Sequence, residues 1–210
     1  MKAFTSVTGV AIPFLEDDVN TDQIAPVAGG TRLNENYAET LFRNRRRFDN
    51  GAADPDFVFN KLQFRSGVML VAGRNFGCGS SRESAVWAFQ AIGISCIVAR
   101  SFADIYRENC LQNGILPIVL GDADADRLDA AVVNADGAAP FTVDLVARAI
   151  SGPNGLHLSF AIPEADRTRL LEGLDDIGLT LKHRAEIEAF EARIAQAKPW
   201  SQKADASSLS

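Results

Sequence analysis

Apolar residues fall along the chain in short runs parted by glycine and polar clusters, and the period inside each run is about 2 or about 3.6. Phe4 to Pro13, with Val7, Val10 and Ile12 partly alternating, predicts a strand. The run Val68-Met69-Leu70-Val71-Ala72-Gly73 predicts another, and beyond it Val86, Phe89 and Ile92 recur at helical spacing over Ser84 to Ile92, a helix that Gly93 ends. Ile94 to Ala99 then returns as a compact strand, which makes a βαβ unit of the parallel-sheet kind. A helix from Ser101 to Asn113 capped by Gly114, a strand from Ile115 to Leu120, and a helix from Asp122 to Asn134 with Leu128, Ala131 and Val132 on its apolar face follow in order. Phe141 to Ile150 and Leu156 to Ile162 read as two strands joined by the turn cluster 151–155. Pro163 opens a helix carrying Leu170, Leu171 and Leu174, and His183 to Lys198 forms the last, with Ile187, Phe190 and Ile194 on one face. Between Val27 and Pro55 the pattern is irregular and polar, with a short helix near Tyr37 to Phe42; a segment of that kind inside a compact domain is a lid candidate.

The stretch Asn75-Phe76-Gly77-Cys78-Gly79-Ser80-Ser81-Arg82-Glu83 lies between the second strand and the first long helix. Gly77 and Gly79 permit a sharp turn that brings Ser80, Ser81 and Arg82 to the helix start, where unpaired amides and the positive end of the helix dipole favour an anion. Two hydroxyls and a guanidinium add donors, and the guanidinium grips a carboxylate in a fork. Ser80-x-x-Glu83 also has the spacing of a capping box, and spacing alone leaves both readings open. Gly77-x-Gly79 lacks the third glycine of a dinucleotide fingerprint and the Gly-Lys-Ser/Thr of a P-loop. Two further residues are candidates for an acidic ligand's site: Asp22, in the turn-forming Asn20-Thr21-Asp22, and Arg32, a second cation within the polar segment.

At 210 residues, 47% hydrophobic and 23% charged, the chain is long enough for one good-sized core. No apolar run approaches the ~20 residues of a membrane span, and Met1-Lys2-Ala3-Phe4-Thr5 lacks a signal-peptide core, so no membrane and a cytoplasmic location are expected. The formal charge of −6 argues against a nucleic-acid partner. The one basic run, Arg43-Asn44-Arg45-Arg46-Arg47, reads as a solvated face or a local carboxylate contact. Three widely spaced cysteines, Cys78, Cys96 and Cys110, suggest neither a disulfide framework nor a metal motif, and Cys96 and Cys110 fit buried positions.

Taken together, Asn20-Thr21-Asp22-Gln23-Ile24, the Asn75 to Glu83 stretch, Ser101-Phe102-Ala103-Asp104-Ile105, Asn113-Gly114-Ile115-Leu116-Pro117 and the terminal Gly173-Leu174-Asp175-Asp176-Ile177-Gly178-Leu179-Thr180-Leu181 resemble the small subunit of bacterial 3-isopropylmalate dehydratase. The resemblance runs from about Phe4 to about Ala197. It implies an α/β fold, a swivelling β/β/α domain like the fourth domain of aconitase, over residues 1–198, and the serine-rich remainder, 199–210, is expected to be a disordered tail. The resemblance implies a hydro-lyase of leucine biosynthesis that isomerises 2-isopropylmalate to 3-isopropylmalate by dehydration and rehydration, active only with a large subunit. That partner would hold a 4Fe-4S cluster, with no metal bound by this chain. The first serine of the motif acts as base in such enzymes, which falls on Ser80, while Ser81 and Arg82 fall on carboxylate-binding positions. The chain reads Arg82-Glu83-Ser84-Ala85 where the family has Arg-Glu-His-Ala, and its loop from Val27 to Glu35 is its own. A related hydro-lyase for 2-methylmalate, citraconate or dimethylmalate, or a non-catalytic module of the same fold, are the alternatives.

Overall fold

A computed structural model describes residues 1–26, 36–198 and 200. The chain packs as two compact units, Met1–Gly173 and Leu174–Ser210, and the expected domain from residue 1 to 198 covers the first and most of the second.

The first unit is built on one sheet. Its strands are β1 (Ser6–Phe14), β2 (Gly67–Ala72), β3 (Cys96–Ala99), β4 (Leu116–Val119), β5 (Phe141–Asp144), β6 (Ala149–Ser151) and β7 (His157–Ser159), in the order β4-β3-β2-β1-β5-β6-β7. From β1 to β4 the pairing is parallel; from β1 through β7 by way of β5 and β6 it is antiparallel. β1 serves both halves, because residues 6–9 pair with β5 and residues 10–14 with β2, with an irregularity in the β2 register between Val10 and Ala11, just past the change of partner. Its helices are α1 (Thr21–Ile24), α2 (Tyr37–Thr40), α3 (Glu83–Ala91), α4 (Asp104–Asn113), α5 (Asp122–Ala135) and α6 (Glu164–Glu172).

Strands of the parallel half are apolar at nearly every position because both faces are covered. Ile12, Phe14, Leu70, Ala72, Ile97 and Ala99 point to one core with Val86 and Phe89 of α3, while Ala11, Met69, Val71, Cys96 and Val98 point to the other with Leu128 and Val132 of α5. Gly114 ends α4 in the left-handed conformation at φ 81°, as its position predicts.

Two expectations change. Phe141 to Ile150 is not one strand but the hairpin β5–β6: the Asp144 carboxylate accepts from Ala147 N at 2.7 Å and Arg148 turns to φ 56°, so the apolar residues on either side belong to different strands. Nor is the described part of the polar segment a loose lid. Leu41 and Phe42 are fully buried, and Phe42 stacks among Phe14, Phe57 and Phe59 with ring centroids 4.7 to 5.7 Å away. Short 3-10 turns at Val58–Asn60 and Leu62–Phe64 complete that layer.

The second unit consists of α7 (Asp176–Leu181), capped by the Asp175 carboxylate, which accepts from Gly178 N at 2.7 Å, and α8 (Arg184–Ala197). The expected tail lies outside the described residues apart from Trp200.

Candidate active site

Loops leaving the carboxyl ends of β1, β2 and β3 meet at one edge of the sheet, where ligands of open α/β sheets collect. After β1, Asn20 caps α1 with a reciprocal box: its Oδ1 accepts from Gln23 N at 2.8 Å and its own N donates to Gln23 Oε1 at 2.9 Å. That turn then fastens the loop after β2, through Gly77 N to Val19 O at 2.8 Å, Thr21 N to Cys78 O at 2.9 Å and Thr21 Oγ1 to Ser80 O at 2.8 Å. The loop after β3 fastens it from the other side, since Phe76 N donates to Ser101 O and Ala103 N to Phe76 O, both at 3.0 Å. Phe76, fully buried against Phe89, Phe102 and Tyr106, is the apolar anchor beneath.

Gly77 sits at φ 78°, and a Cβ there would fall inside the Tyr106 ring. No other residue type fits both demands. Gly79, at φ 89°, then turns the chain outward so that Ser80 and Ser81 are exposed.

The capping box that the spacing allows at Ser80-x-x-Glu83 is absent. α3 begins at Glu83 with Arg82 as its N-cap, and no side chain caps it. Glu83 instead accepts from Asn113 Nδ2 at 3.1 Å, and Asn113 Oδ1 accepts from Trp87 Nε1 at 2.9 Å, a bridge between α3 and the end of α4. The Ser80 and Ser81 hydroxyls are therefore free for a ligand: neither bonds to a described residue. They precede the helix rather than sit in its first turn, so both lie beyond its first amides, which have no intrahelical acceptor.

Asp22 comes to the same place. Its Oδ1 lies 2.5 Å from Arg82 Nη1, an ion pair in which the arginine side chain is 25% exposed and the aspartate 56%. That buried Nη1 is not aligned for a hydrogen bond with any described residue, so the contact is electrostatic and steric. Ser80, Ser81, Arg82 and Thr21 line a cavity of about 250 Å³ together with Tyr106 and Asn109 of α4, and Asp22, outside the lining, reaches it through the arginine. Arg32 lies outside the described residues.

Tyr106 and Asn109 went unread in the sequence. Each is a polar residue at a core-facing position of α4, and that mismatch is the signal that finds them. Asn109 is 9% exposed, and its amide bonds to no described residue. The Tyr106 hydroxyl is buried without an aligned partner; burial first, then the Cys110 thiol, pushes the phenol well above its usual range and keeps it protonated.

The thiols do not assemble a metal site. Cys96 and Cys110 are fully buried, and burial raises both well above the usual thiol range, whereas a metal needs the thiolate. Cys78 is partly exposed but alone, donating to Asp18 O at 3.4 Å. Among the described residues no three His, Cys, Asp or Glu side chains gather where an ion would be held.

Comparison with known proteins covers nearly the whole chain. Residues 1–123 match the family described as aconitase C-terminal domain, and residues 176–204 match the C-terminal domain of the 3-isopropylmalate dehydratase small subunit. A 3-isopropylmalate dehydratase small subunit from Brucella anthropi is 46% identical over 202 residues, covering 95% of this chain and all of that one. One from a Jannaschia species is 48% identical over the same span. The crystal structure of a 3-isopropylmalate dehydratase from Methanocaldococcus jannaschii superposes with a TM-score of 0.60 at 28% identity, over 89% of this chain and 99% of that one.

Proposed function

The chain belongs to the 3-isopropylmalate dehydratase small-subunit family, and on that premise we propose that the Ser80–Arg82 turn is its contribution to catalysis. Its reaction is the interconversion of 2- and 3-isopropylmalate by loss and return of water, in leucine biosynthesis. The observation that carries the site assignment is the convergence of Ser80, Ser81 and an aspartate-held Arg82 on one cavity at the carboxyl edge of the sheet.

A hydrogen on carbon beside a carboxylate is weakly acidic, and its removal needs a base together with donors for the charge that moves onto the carboxylate. In this assignment Ser80 Oγ, as alkoxide, takes that proton. The electron pair of the C–H bond forms the double bond, and hydroxide leaves from the neighbouring carbon, so proton and hydroxide together make the water that is lost. Arg82 and the Ser81 hydroxyl hold the carboxylate while its negative charge grows. Their donors and the free amides at the start of α3 also favour the Ser80 alkoxide. Asp22 keeps Arg82 turned to the cavity, and the Asn109 amide offers a hydrogen bond from its lining. Return of water to the other carbon reverses the steps and completes the isomerisation.

Departure of hydroxide calls for a Lewis acid, which an iron–sulfur cluster on the large subunit would supply. The thiols of this chain, two of them buried and protonated, do not fit such a cluster. The active form is accordingly proposed to be a heterodimer of small and large subunits, working in the cytoplasm as an amino-acid biosynthetic enzyme.

The test pairs the full chain with its large subunit under anaerobic conditions and follows the unsaturated intermediate by absorbance, with 2-isopropylmalate and 2-methylmalate offered separately. Preference for the isopropyl substrate is expected, and Ser80→Ala should lower kcat by about 10³-fold or more while assembly is kept. Undiminished kcat in Ser80→Ala would remove the serine from its role, and preference for the methyl substrate would move the protein to a related hydration.

A further inference from the structure

The basic run of the sequence divides on folding. Arg45 turns to Glu16, forking onto its carboxylate with two bonds of 2.7 Å, and lies over the Phe14 ring. Arg43, Arg46 and Arg47 turn instead to a second cavity, of about 1050 Å³, where Arg65 joins them from beyond the 3-10 turns. Phe59 and Phe64 form part of its apolar wall.

Arg46 is fixed there by neutral partners: its Nε donates to Asn60 Oδ1 at 2.9 Å and its Nη2 to Phe59 O at 3.3 Å. Arg47 donates to Gly51 O at 2.9 Å. None of the four guanidiniums pairs with a carboxylate among the described residues. Glu39 is the carboxylate among the lining residues, and its bond is to Asn36 Nδ2 at 3.2 Å. Partial burial, then the charges of Arg47 and Arg65, lower the Arg46 pKa, the signature of a cation short of counter-charge. Four like charges facing one concavity, in a chain whose net charge is −6, focus a positive field that water and salt only partly relieve.

We propose that this cavity is a binding site for a small polyanion, a molecule with two or more phosphoryl or carboxylate groups on a compact frame. Guanidiniums suit planar and tetrahedral oxyanions alike, since each offers paired donors in a rigid fork. The volume lies near the upper end of small-ligand clefts, about 1,000 Å³, which favours a small molecule over an acidic protein surface. The lining residues of this cavity and of the one at Ser80 have no member in common, so the two sites are separate.

The experiment titrates the full chain with inorganic pyrophosphate and, separately, with tricarballylate in a calorimeter at low ionic strength. Saturable binding of one equivalent is expected, from pyrophosphate if phosphoryl groups are preferred and from tricarballylate if carboxylates are. Arg43→Ala/Arg65→Ala should weaken it at least tenfold; neither side chain bonds to a described residue, so the fold should stand, as thermal melting will show. Arg82→Ala, at the other cavity, should leave pyrophosphate affinity unchanged. Absence of saturable binding by both probes, or equal binding by the double variant, would overturn the proposal. So would loss of binding in Arg82→Ala, which would place the anion at the first cavity. If neither probe binds and the double variant fails to join the large subunit, the arginines form a protein interface and the small-molecule site falls.

Discussion

Arg82 is held by a carboxylate on one side and faces an open cavity on the other, and this limits what the pair with Asp22 is for. An ion pair with partners 25% and 56% exposed contributes at most about 1 kcal/mol to stability. Its consequence is orientation. An arginine fixed before substrate arrives loses less freedom on binding, and in the proposed site one fork edge remains for the substrate's carboxylate. Arg82→Lys keeps the charge and loses the fork, so KM for 2-isopropylmalate should rise about tenfold or more. Asp22→Asn leaves the arginine in place but unheld; kcat/KM should drop about tenfold, a loss of roughly 1.4 kcal/mol, with the melting temperature almost unmoved. Steady-state kinetics of both variants with the large subunit, beside their thermal melts, check this. A large melting shift in Asp22→Asn without a kinetic effect would make the pair structural.

Among the elements, what the sequence made legible follows from local rules. The β2, loop and α3 sequence was readable because an apolar run, two glycines and a 3.6-residue period adjoin one another, and the end of α4 because Gly114 alone suits its left-handed cap. Where a distant partner decides, the local reading could not choose. Glu83 has the right spacing to cap with Ser80, yet it is taken by Asn113, thirty residues on, while the same box closes between Asn20 and Gln23, where no competitor stands. The hairpin at 141–151 was hidden because its turn is made by Asp144 and Arg148 rather than by glycine or proline. Ser80, Ser81 and Arg82 were visible as a motif; Tyr106 and Asn109 were not, since only the packing of α4 under the loop brings them to the cavity.

That packing also buries two thiols, Cys96 on β3 and Cys110 on α4, and has a consequence for stability. Burial raises both pKa values in the folded chain, so the thiols keep their protons there, whereas in the unfolded chain they ionise near pH ~8.5. The stabilisation is fully present below that pH and is lost as pH rises, because the unfolded state then holds fewer protons. The slope reaches about 1.4 kcal/mol per pH unit for each thiol. Urea midpoints under reducing conditions should therefore fall between about pH 8.5 and pH 10.5. Cys96→Ala should start lower, for the lost packing, and fall less steeply. Parallel slopes for the two proteins would assign the alkaline loss to other groups.

For the whole molecule, the position of the cavities matters more than their size. The Ser80 cavity holds about 250 Å³, and its wall mixes the polar Thr21, Ser80, Ser81, Arg82 and Asn109 with the apolar Ala103 and Ile105; Ser80 and Ser81 themselves are exposed. With Ser80 as the proposed base and Arg82 as the proposed cation, this open edge is half of an active site in the proposed assembly, and the large subunit is the other half. In that assembly the group proposed to do the chemistry is separable from the loop's own anchors: removing the Ser80 hydroxyl takes away the proposed base and leaves the backbone anchors at Gly77, Cys78 and Ser80 in place. A Ser80→Ala chain should thus compete with the wild-type chain for the large subunit and hold it in an inactive pair. When large subunit is limiting and the two small chains are mixed in equal amounts, activity should fall to about half, in proportion to the share of partner each captures. Excess variant should drive it further down, and excess wild type should restore it. Activity indifferent to the added variant, with sedimentation showing that the variant does not bind, would mean that Ser80 belongs to the interface. Indifference with binding intact would mean that the pair turns over without it.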